Sequence, residues 1–219
     1  MNHNPMIVQT MRMSPVIPVL VVDDVGLAVP LAQALVRGGL KVLEITLRTP
    51  NALEVIEAIA RYVPEALVVA GTVTRPGQLR AAREAGAQMA VSPGLTPALA
   101  EASQGAGTLP LLPGASTATE LMLGQEAGFA SFKLFPAEAV GGVALLKSFY
   151  GPFPHILFCP TGGISYEAAP HYLALPNVAC VGGSWLAPRE DVLKSHWDRI
   201  EALARAAAAL PQHHVHTPG

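Results

Sequence analysis

Charged residues are scarce in this sequence. Only 14% of its 219 residues are Asp, Glu, Lys or Arg, whereas hydrophobic residues make up 51%. Soluble domains usually carry about 25% charged residues, so we expect a large core and a buried subunit interface. The net charge is −2 and no basic stripe is present, which argues against nucleic acid as a partner.

Long hydrophobic runs and cysteines are also rare. No uninterrupted apolar segment reaches the ~18 residues that a membrane span needs, so no membrane partner is expected. Residues 1–15 lack the apolar segment of a secretory signal. The two cysteines, Cys159 and Cys180, lie in apolar strand-like segments. They predict reduced, packed thiols in a cytoplasmic protein rather than a disulfide framework.

Short β-branched or apolar runs alternate with amphipathic stretches along the whole chain. The runs predict eight strands, at residues 17–22, 42–47, 67–73, 89–92, 109–112, 131–135, 155–159 and 178–182. The stretches predict helices at residues 25–37, 51–62, 76–84, 97–103, 117–126, 142–149, 166–173 and about 189–210. Such alternation is typical of parallel strands joined by helical crossovers.

The length and the repeat predict a single-domain (β/α)8 TIM barrel over residues 17–210. Residues 1–16 are predicted to form an N-terminal arm or helix, and residues 211–219 a disordered tail. A doubly wound open sheet is the alternative fold. It is weakened because no G-x-G-x-x-G motif opens the first helix.

A lysine stands in the middle of the predicted buried strand 131–135. Strand alternation sends Lys133 to one face and Phe132 and Leu134 to the other. Burial among apolar groups would lower the pKa of Lys133 and leave a neutral amine, which Schiff-base chemistry on a carbonyl substrate requires. A lysine whose stem reaches water is the alternative, and this stretch alone favours it. The rest of the chain makes the Schiff-base lysine the preferred interpretation.

Glu44, Thr46 and Arg48 alternate with leucine and isoleucine in the second predicted strand. In a barrel this charged face points inward, where an unpaired charge is costly. Glu44 and Arg48 are either a structural ion pair or a general base beside an arginine that binds an anion. The presence of Lys133 favours the second interpretation. Strands two and six are both even-numbered, so Glu44 and Lys133 are expected to meet across the interior.

Paired glycines follow the last two predicted strands, at Gly162-Gly163 and Gly182-Gly183. The loops after these strands are where barrels of this kind place a phosphate, held by backbone N–H groups. After the third strand, Gly71 permits close approach of a ligand. The segments around Gly94, Gly114 and Thr117 are interpreted as turn chemistry.

The histidines do not show the spacing of a metal site. His155 and His171 are isolated, whereas His213, His214 and His216 crowd the tail. We therefore expect a mechanism that uses neither a metal nor a cofactor.

Seven segments, taken in order, resemble the KDPG/KHG aldolases, which are the 2-dehydro-3-deoxy-phosphogluconate aldolases of the Entner–Doudoroff pathway. They are V-L-E-I-T-L-R-T at 42–49, A-G-T-V at 70–73, S-P-G at 92–94, L-P-G at 112–114, F-K-L-F-P-A-E at 132–138, C-P-T-G-G-I-S at 159–165 and G-G-S-W-L at 182–186. The family is known as a trimeric (β/α)8 barrel. Its members are class I lyases that cleave 2-keto-3-deoxy-6-phosphogluconate (KDPG) to pyruvate and glyceraldehyde 3-phosphate.

The resemblance implies a role for each matching position. Lys133 would form the Schiff base and Glu44 would be the acid/base. The pyruvate end would be formed by Arg48, Thr72 and Pro93, and the phosphate and hydroxyl end by Phe135, Thr161, Gly162, Gly163 and Ser184. Ser184 would favour the gluconate over the galactonate epimer.

The resemblance also implies the ligand and the assembly. The ligand would be a small 2-keto-3-deoxy sugar phosphate, and the assembly a cytoplasmic homotrimer without metal or cofactor. The unphosphorylated 4-hydroxy-2-oxoglutarate (KHG) would be a second substrate, cleaved to pyruvate and glyoxylate. Two other functions remain open, a phosphosugar isomerase or epimerase on the same barrel and a non-catalytic sugar-phosphate sensor.

Overall fold

Short parallel strands and surrounding helices alternate along the chain. The computed structural model describes residues 4–105 and 107–212. The strands are β1 Val16–Leu20, β2 Val42–Thr46, β3 Leu67–Gly71, β4 Met89–Val91, β5 Leu111–Leu112, β6 Gly114–Ala115, β7 Ser131–Leu134, β8 Leu157–Phe158 and β9 Val181–Gly183. The helices are α1 Pro5–Arg12, α2 Val25–Arg37, α3 Ala52–Tyr62, α4 Pro76–Glu84, α5 Pro97–Ser103, α6 Ala118–Glu126, α7 Gly142–Tyr150, α8 Ala169–Leu173, α9 Arg189–Leu193 and α10 Trp197–Ala208. A 3₁₀ turn spans Glu138–Val140.

The strands pair into two separate parallel sheets. One sheet has six strands in the order β5-β4-β3-β2-β1-β9, and the other has three in the order β6-β7-β8. The prediction of a closed eight-stranded TIM barrel is therefore wrong. The chain has an α/β fold in which the six-stranded sheet forms half of a barrel wall.

The ladder between the two sheets is broken at two places, for different reasons. Pro113 separates β5 from β6, and proline has no N–H group to donate to a ladder. Consequently β5 pairs with β4 while β6 pairs with β7. At the other junction, isolated bridges join Phe158 to Val178 and Thr161 to Gly182. One strand advances three residues between these bridges and the other four, so a continuous register cannot form.

Both sheets nevertheless contribute to one inner apolar core. Alternate strand residues such as Val42, Val69 and Leu157 pack there together with both cysteines. Ile7 and Met11 of α1 join the same core, so the N-terminal segment, which was predicted to be an arm or a helix, contains a packed helix. The opposite faces of the strands pack against the surrounding helices in a second, larger core. The C-terminal ends of the strands therefore remain available for a site.

The prediction of one continuous helix at about residues 189–210 is wrong. The segment is divided into α9 and α10 at Ser195, whose φ of 56° is left-handed and cannot continue a helix. The corner is fixed by the buried carboxylate of Asp191, whose Oδ1 lies 3.0 Å from Nδ1 of His196 and 3.3 Å from Nη1 of Arg199.

The two ends of the chain are described only in part. Most of the tail that was predicted to be disordered, residues 213–219, lies outside the described residues, as do residues 1–3. Gln212, which precedes them, donates a hydrogen bond to the carbonyl of Ala179. Within the described ranges, no helix combines the length and the apolar character needed to cross a membrane.

Candidate active site

A buried lysine and a buried glutamate meet in the interior between the two sheets. Lys133 is the third residue of β7, and its Nζ lies 3.0 Å from Oε1 of Glu44 in β2. Their side chains are 5% and 4% exposed. Two charges removed from water are costly unless they pair and form hydrogen bonds, and here each is the partner of the other. An amine beside a carboxylate can exchange a proton with it, as the attack of a lysine on a carbonyl requires.

The alternation of β2 points Glu44 inward. Leu43 and Ile45 pack among the helices, whereas Val42 lies in the inner core. Thr46 shares the inward face, and its hydroxyl donates to the carbonyl of Leu20 at 2.9 Å. This bond ties the end of β2 to the end of β1, which holds the backbone around Glu44 in place.

Gly71 leaves the space that the Glu44 carboxylate occupies. A Cβ atom at Gly71 would collide with Oε1 of Glu44 and lie 2.6 Å from its Cγ. The glycine of the A-G-T-V segment therefore serves a protein side chain, whereas the sequence suggested close approach of a ligand. Any side chain at this position must displace Glu44 from Lys133.

If the pair of Lys133 and Glu44 carries a reaction, we expect Gly71→Ala to lower the kcat of that reaction about 100-fold, because a displacement of about 1 Å in a reacting group has an effect of that size. Gly77→Ala on α4 is the matched control, since among the described residues the added Cβ would have no atom within 4 Å beyond its chain neighbours and the backbone of its own helix. Steady-state kinetics and circular dichroism of both variants check the expectation. A Gly71→Ala protein with wild-type kcat would show that the position of Glu44 does not depend on this space.

An arginine and a threonine meet at the ends of β2 and β3. The Arg48 Nε–H donates to Oγ1 of Thr72 at 3.2 Å. Thr72 has a φ of 59°, an uncommon conformation for a threonine, and strain of this kind clusters at binding sites. Arg48 is exposed, so its remaining N–H groups can bind a carboxylate in the two-pronged geometry that guanidinium favours.

Pro93 follows β4 at the same edge of the sheet and is half-buried. A Cβ atom at Gly114 would collide with the carbonyl of Pro93, so this glycine permits close packing of two strand ends. The turn interpretation of Gly114 is therefore incomplete. Thr117, in contrast, caps α6 as a turn residue should, since its hydroxyl accepts from the N–H of Glu120 at 3.2 Å.

The loop with the first glycine pair is joined to β9 by a bridge between Thr161 and Gly182. Gly162 and Gly163 have φ values of 107° and 81°, which favour glycine. A Cβ atom at Gly182 would collide with the Thr161 hydroxyl, so the two loops pack closely. Ser184 follows at the exposed end of β9. Nearby, the ring centroid of Phe135 lies 5.4 Å from Nζ of Lys133.

Comparisons with known proteins identify the family of this chain. The family model of KDPG and KHG aldolases matches residues 7–203. The chain belongs to the KDPG/KHG aldolase family. A curated relative, the 2-dehydro-3-deoxy-phosphogluconate aldolase of Dickeya dadantii, is 55% identical over 201 residues, which cover 92% of this chain and 94% of the relative. Membership of this family favours the aldolase over the isomerase, epimerase and sensor alternatives.

Two solved structures of KDPG aldolases are similar to this chain. One, from Legionella pneumophila, contains pyruvate captured at low pH as a covalent carbinolamine intermediate. It has a TM-score of 0.90 and 46% identity, and the match covers 92% of this chain and 98% of that one. The other, from Zymomonas mobilis, contains 3-phosphoglycerate, with a TM-score of 0.89, 47% identity and coverage of 95% and 97%.

The two cysteines lie in the inner apolar core. Both thiols are free and buried, as the sequence predicted. Cys159 Sγ lies 3.9 Å from Oγ1 of Thr161. A hydrogen bond between the two thiols lowers the pKa of Cys159 and raises that of Cys180 well above its ordinary value, with burial adding to the second shift. Among the described residues, no group of three or more His, Cys, Asp or Glu side chains could hold a metal ion.

The structure places the predicted site residues in the C-terminal parts of the strands or in the loops that follow them, except Glu44, which is the central residue of β2. It brings Lys133 into contact with Glu44, and Arg48 with Thr72. Sequence reasoning missed Val19, which pairs in register with Glu44 and lies on the same inward face as Ile17. The period of two in β1 was the available signal. It also missed Glu138 and Tyr172, whose contact joins elements distant in sequence.

Proposed function

We propose that this chain is a class I aldolase that cleaves KDPG to pyruvate and glyceraldehyde 3-phosphate through a Schiff base on Lys133, and that it also cleaves KHG. The observation that carries the proposal is the buried pair of Lys133 and Glu44, with 3.0 Å between Nζ and Oε1. The covalent carbinolamine in the Legionella relative supports the same chemistry.

Lys133 and Glu44 divide the reaction between them. The lysine amine, after giving its proton to Glu44, attacks the C2 carbonyl of the substrate, and loss of water from the carbinolamine leaves an iminium. Glu44 gives the proton it took from the lysine to the departing water and is then a base again. The iminium withdraws electrons, so the C3–C4 bond breaks as Glu44 takes the proton of the C4 hydroxyl, and glyceraldehyde 3-phosphate departs. Glu44 then protonates C3 of the enamine, and hydrolysis returns the free amine and pyruvate.

The substrate carboxylate is assigned to the rim where Arg48 meets Thr72, beside Pro93. A guanidinium and a hydroxyl suit a carboxylate, and the exposure of Arg48 leaves donors free for it. Binding the carboxylate there would place C2 of a keto acid between the rim and the lysine below it. The attack then occurs within one bound complex, which lowers its entropic cost.

The substrate phosphate is assigned to the loops that contain Gly162, Gly163 and Ser184, with Phe135 and Thr161 between them and Lys133. Positive φ values at both loop glycines turn successive backbone N–H groups, and such groups form anion-binding concavities. The bound 3-phosphoglycerate of the Zymomonas relative supports a phosphate site of this kind. Remote phosphate binding supplies energy that positions C4 for cleavage.

The assembly proposed with this function is a homotrimer located in the cytoplasm and acting without metal or cofactor. The resemblance to the family supports the trimer. The free thiols of Cys159 and Cys180 support a reducing compartment.

A pyruvate-release assay tests the proposal. Purified protein is given KDPG, its galactonate epimer or KHG, with pyruvate measured through lactate dehydrogenase, in the presence and absence of a chelator. We expect release from KDPG and KHG, a lower rate with the epimer, and no effect of the chelator. The absence of pyruvate from all three substrates would contradict the proposal.

A further inference from the structure

A tyrosine and a glutamate form a hydrogen bond behind the phosphate end of the site. Glu138 begins the 3₁₀ turn after β7, and its Oε1 accepts from the hydroxyl of Tyr172 in α8. Tyr172 is 1% exposed, and burial together with the Glu138 carboxylate raises its pKa. The hydroxyl therefore keeps its proton and remains a donor at every physiological pH. Neither residue has a role in the chemistry described above.

Glu138 is also in contact with the loop assigned to the phosphate. Its N–H donates to the carbonyl of Gly162 at 3.1 Å, and the preceding N–H, of Ala137, donates to the carbonyl of Thr161 at 2.8 Å. A Cβ atom at Gly163 would lie 2.9 Å from Cβ and 3.0 Å from Cγ of Glu138. The loop glycine thus packs directly on the Glu138 side chain, and the two carbonyls are turned toward the 3₁₀ turn.

Glycine at position 142 makes room for the tyrosine hydroxyl. A Cβ atom there would collide with Oη of Tyr172 and lie 3.7 Å from Oε1 of Glu138. Gly142 has a φ of 51°, so its backbone also favours glycine. The hydrogen bond therefore lies between Gly142 and the phosphate loop, in a space that exists because residue 142 has no side chain.

We infer that Glu138 and Tyr172 are positioning residues that hold the Gly162-Gly163 loop in the conformation that binds the substrate phosphate. The hydrogen bond fixes the Glu138 side chain beneath Gly163. Without it, the Glu138 side chain no longer supports the backbone of Gly163, and the loop can leave the conformation that binds phosphate. The inference rests on the proposed function, because it names what sets the affinity of that site for the phosphorylated substrate.

The test compares KDPG with KHG, which lacks the phosphate. We expect Tyr172→Phe and Glu138→Ala each to raise KM for KDPG about tenfold, the factor expected from loss of one hydrogen bond. The kcat/KM for KHG should change by less than about twofold, because a phosphate-end interaction is absent from that reaction. Glu138→Gln keeps an oxygen that accepts from Tyr172 and should restore a KM close to that of the wild type.

The controls separate a positioning role from a merely structural one. Tyr166 is an exposed tyrosine in the connection between β8 and α8, which also contains Gly162 and Gly163. Tyr166→Phe should leave the kinetic constants for KDPG and KHG unchanged. The double variant of Glu138→Ala and Tyr172→Phe should be no worse than either single variant, since both remove one interaction. A thermal melt of each variant identifies any that do not fold. Equal losses with KDPG and KHG, or no loss with either, would overturn the inference.

A binding measurement keeps this result distinct from failure of the proposed function. If the wild type cleaves neither substrate, the proposed function is wrong, and calorimetry with inorganic phosphate then tests the loop alone. About tenfold weaker phosphate binding by Tyr172→Phe supports the inference in that case. Unchanged phosphate binding contradicts it.

Discussion

Lys133→Met should lower kcat for pyruvate release from KDPG by about 10⁵-fold or more, the size of effect produced by removing a covalent nucleophile. Methionine has a similar volume and keeps the β7 packing, but it has no nitrogen with which to form an imine. Remaining activity would come only from binding and from the other site groups. The coupled pyruvate assay measures this loss.

The same substitution should also reduce stability. It leaves the Glu44 carboxylate buried without a cation, and breaking a buried pair in this way costs about 3–5 kcal/mol. Denaturant unfolding of the variant measures that cost. Lys41→Met is the matched control, because Lys41 is exposed and precedes β2. A Lys133→Met protein that retained a substantial part of the wild-type kcat would exclude the covalent mechanism.

Glu44→Gln should lower kcat by about 10²- to 10⁴-fold, which is the usual contribution of a general acid–base group. Glutamine has the shape of glutamate and an oxygen that can accept from Lys133, but it cannot take up and return a proton. Exchange of the pyruvate methyl protons with deuterium oxide should slow by a similar factor, and NMR spectroscopy measures it directly.

Methyl exchange separates the role of Glu44 from that of Lys133. Imine formation in Glu44→Gln should be slower but still detectable, whereas exchange at the methyl carbon should almost stop. Glu57→Gln, at an exposed position on α3, is the matched control. Wild-type exchange in Glu44→Gln would assign the proton transfer to another group.

The side-chain orientations could be predicted because strand alternation is a local property. The period of two in β2 placed Glu44 inward and Leu43 and Ile45 against helices, and the structure has this arrangement. The same period in β7 placed Lys133 on the inward face. Several helix boundaries were also predicted, since α2, α4 and α5 begin and end at the residues expected from the sequence.

Strand pairing could not be predicted, because it depends on contacts between distant segments. Pro113 is present in the sequence, but its effect on the ladder depends on which strands pair with β5 and β6. The additional residue between the bridges at Val178 and Gly182 changes the register in a way that no local pattern reports. The closed barrel was therefore inferred from a count of strands, which leaves pairing undetermined.

The candidate site was predictable to the extent that its residues stand in the predicted strands or directly after them. Apart from the contact of Glu44 with Lys133, the contacts between these residues could not be predicted from the sequence. Gly71 was noticed as a glycine, but only the structure shows that Glu44 fills the space beside it. Glu138 and Tyr172 are separated by 34 positions, and neither lies in a pattern that predicts their contact. Such pairs become visible only when the helix and the turn are placed together.

Reduction of the protein with borohydride in the presence of pyruvate tests the covalent mechanism most directly. Peptide mass spectrometry should then find the reduced pyruvyl adduct on Lys133 and on none of Lys41, Lys147 or Lys194. An unmodified Lys133 at saturating pyruvate, or an adduct on another lysine, would contradict the account.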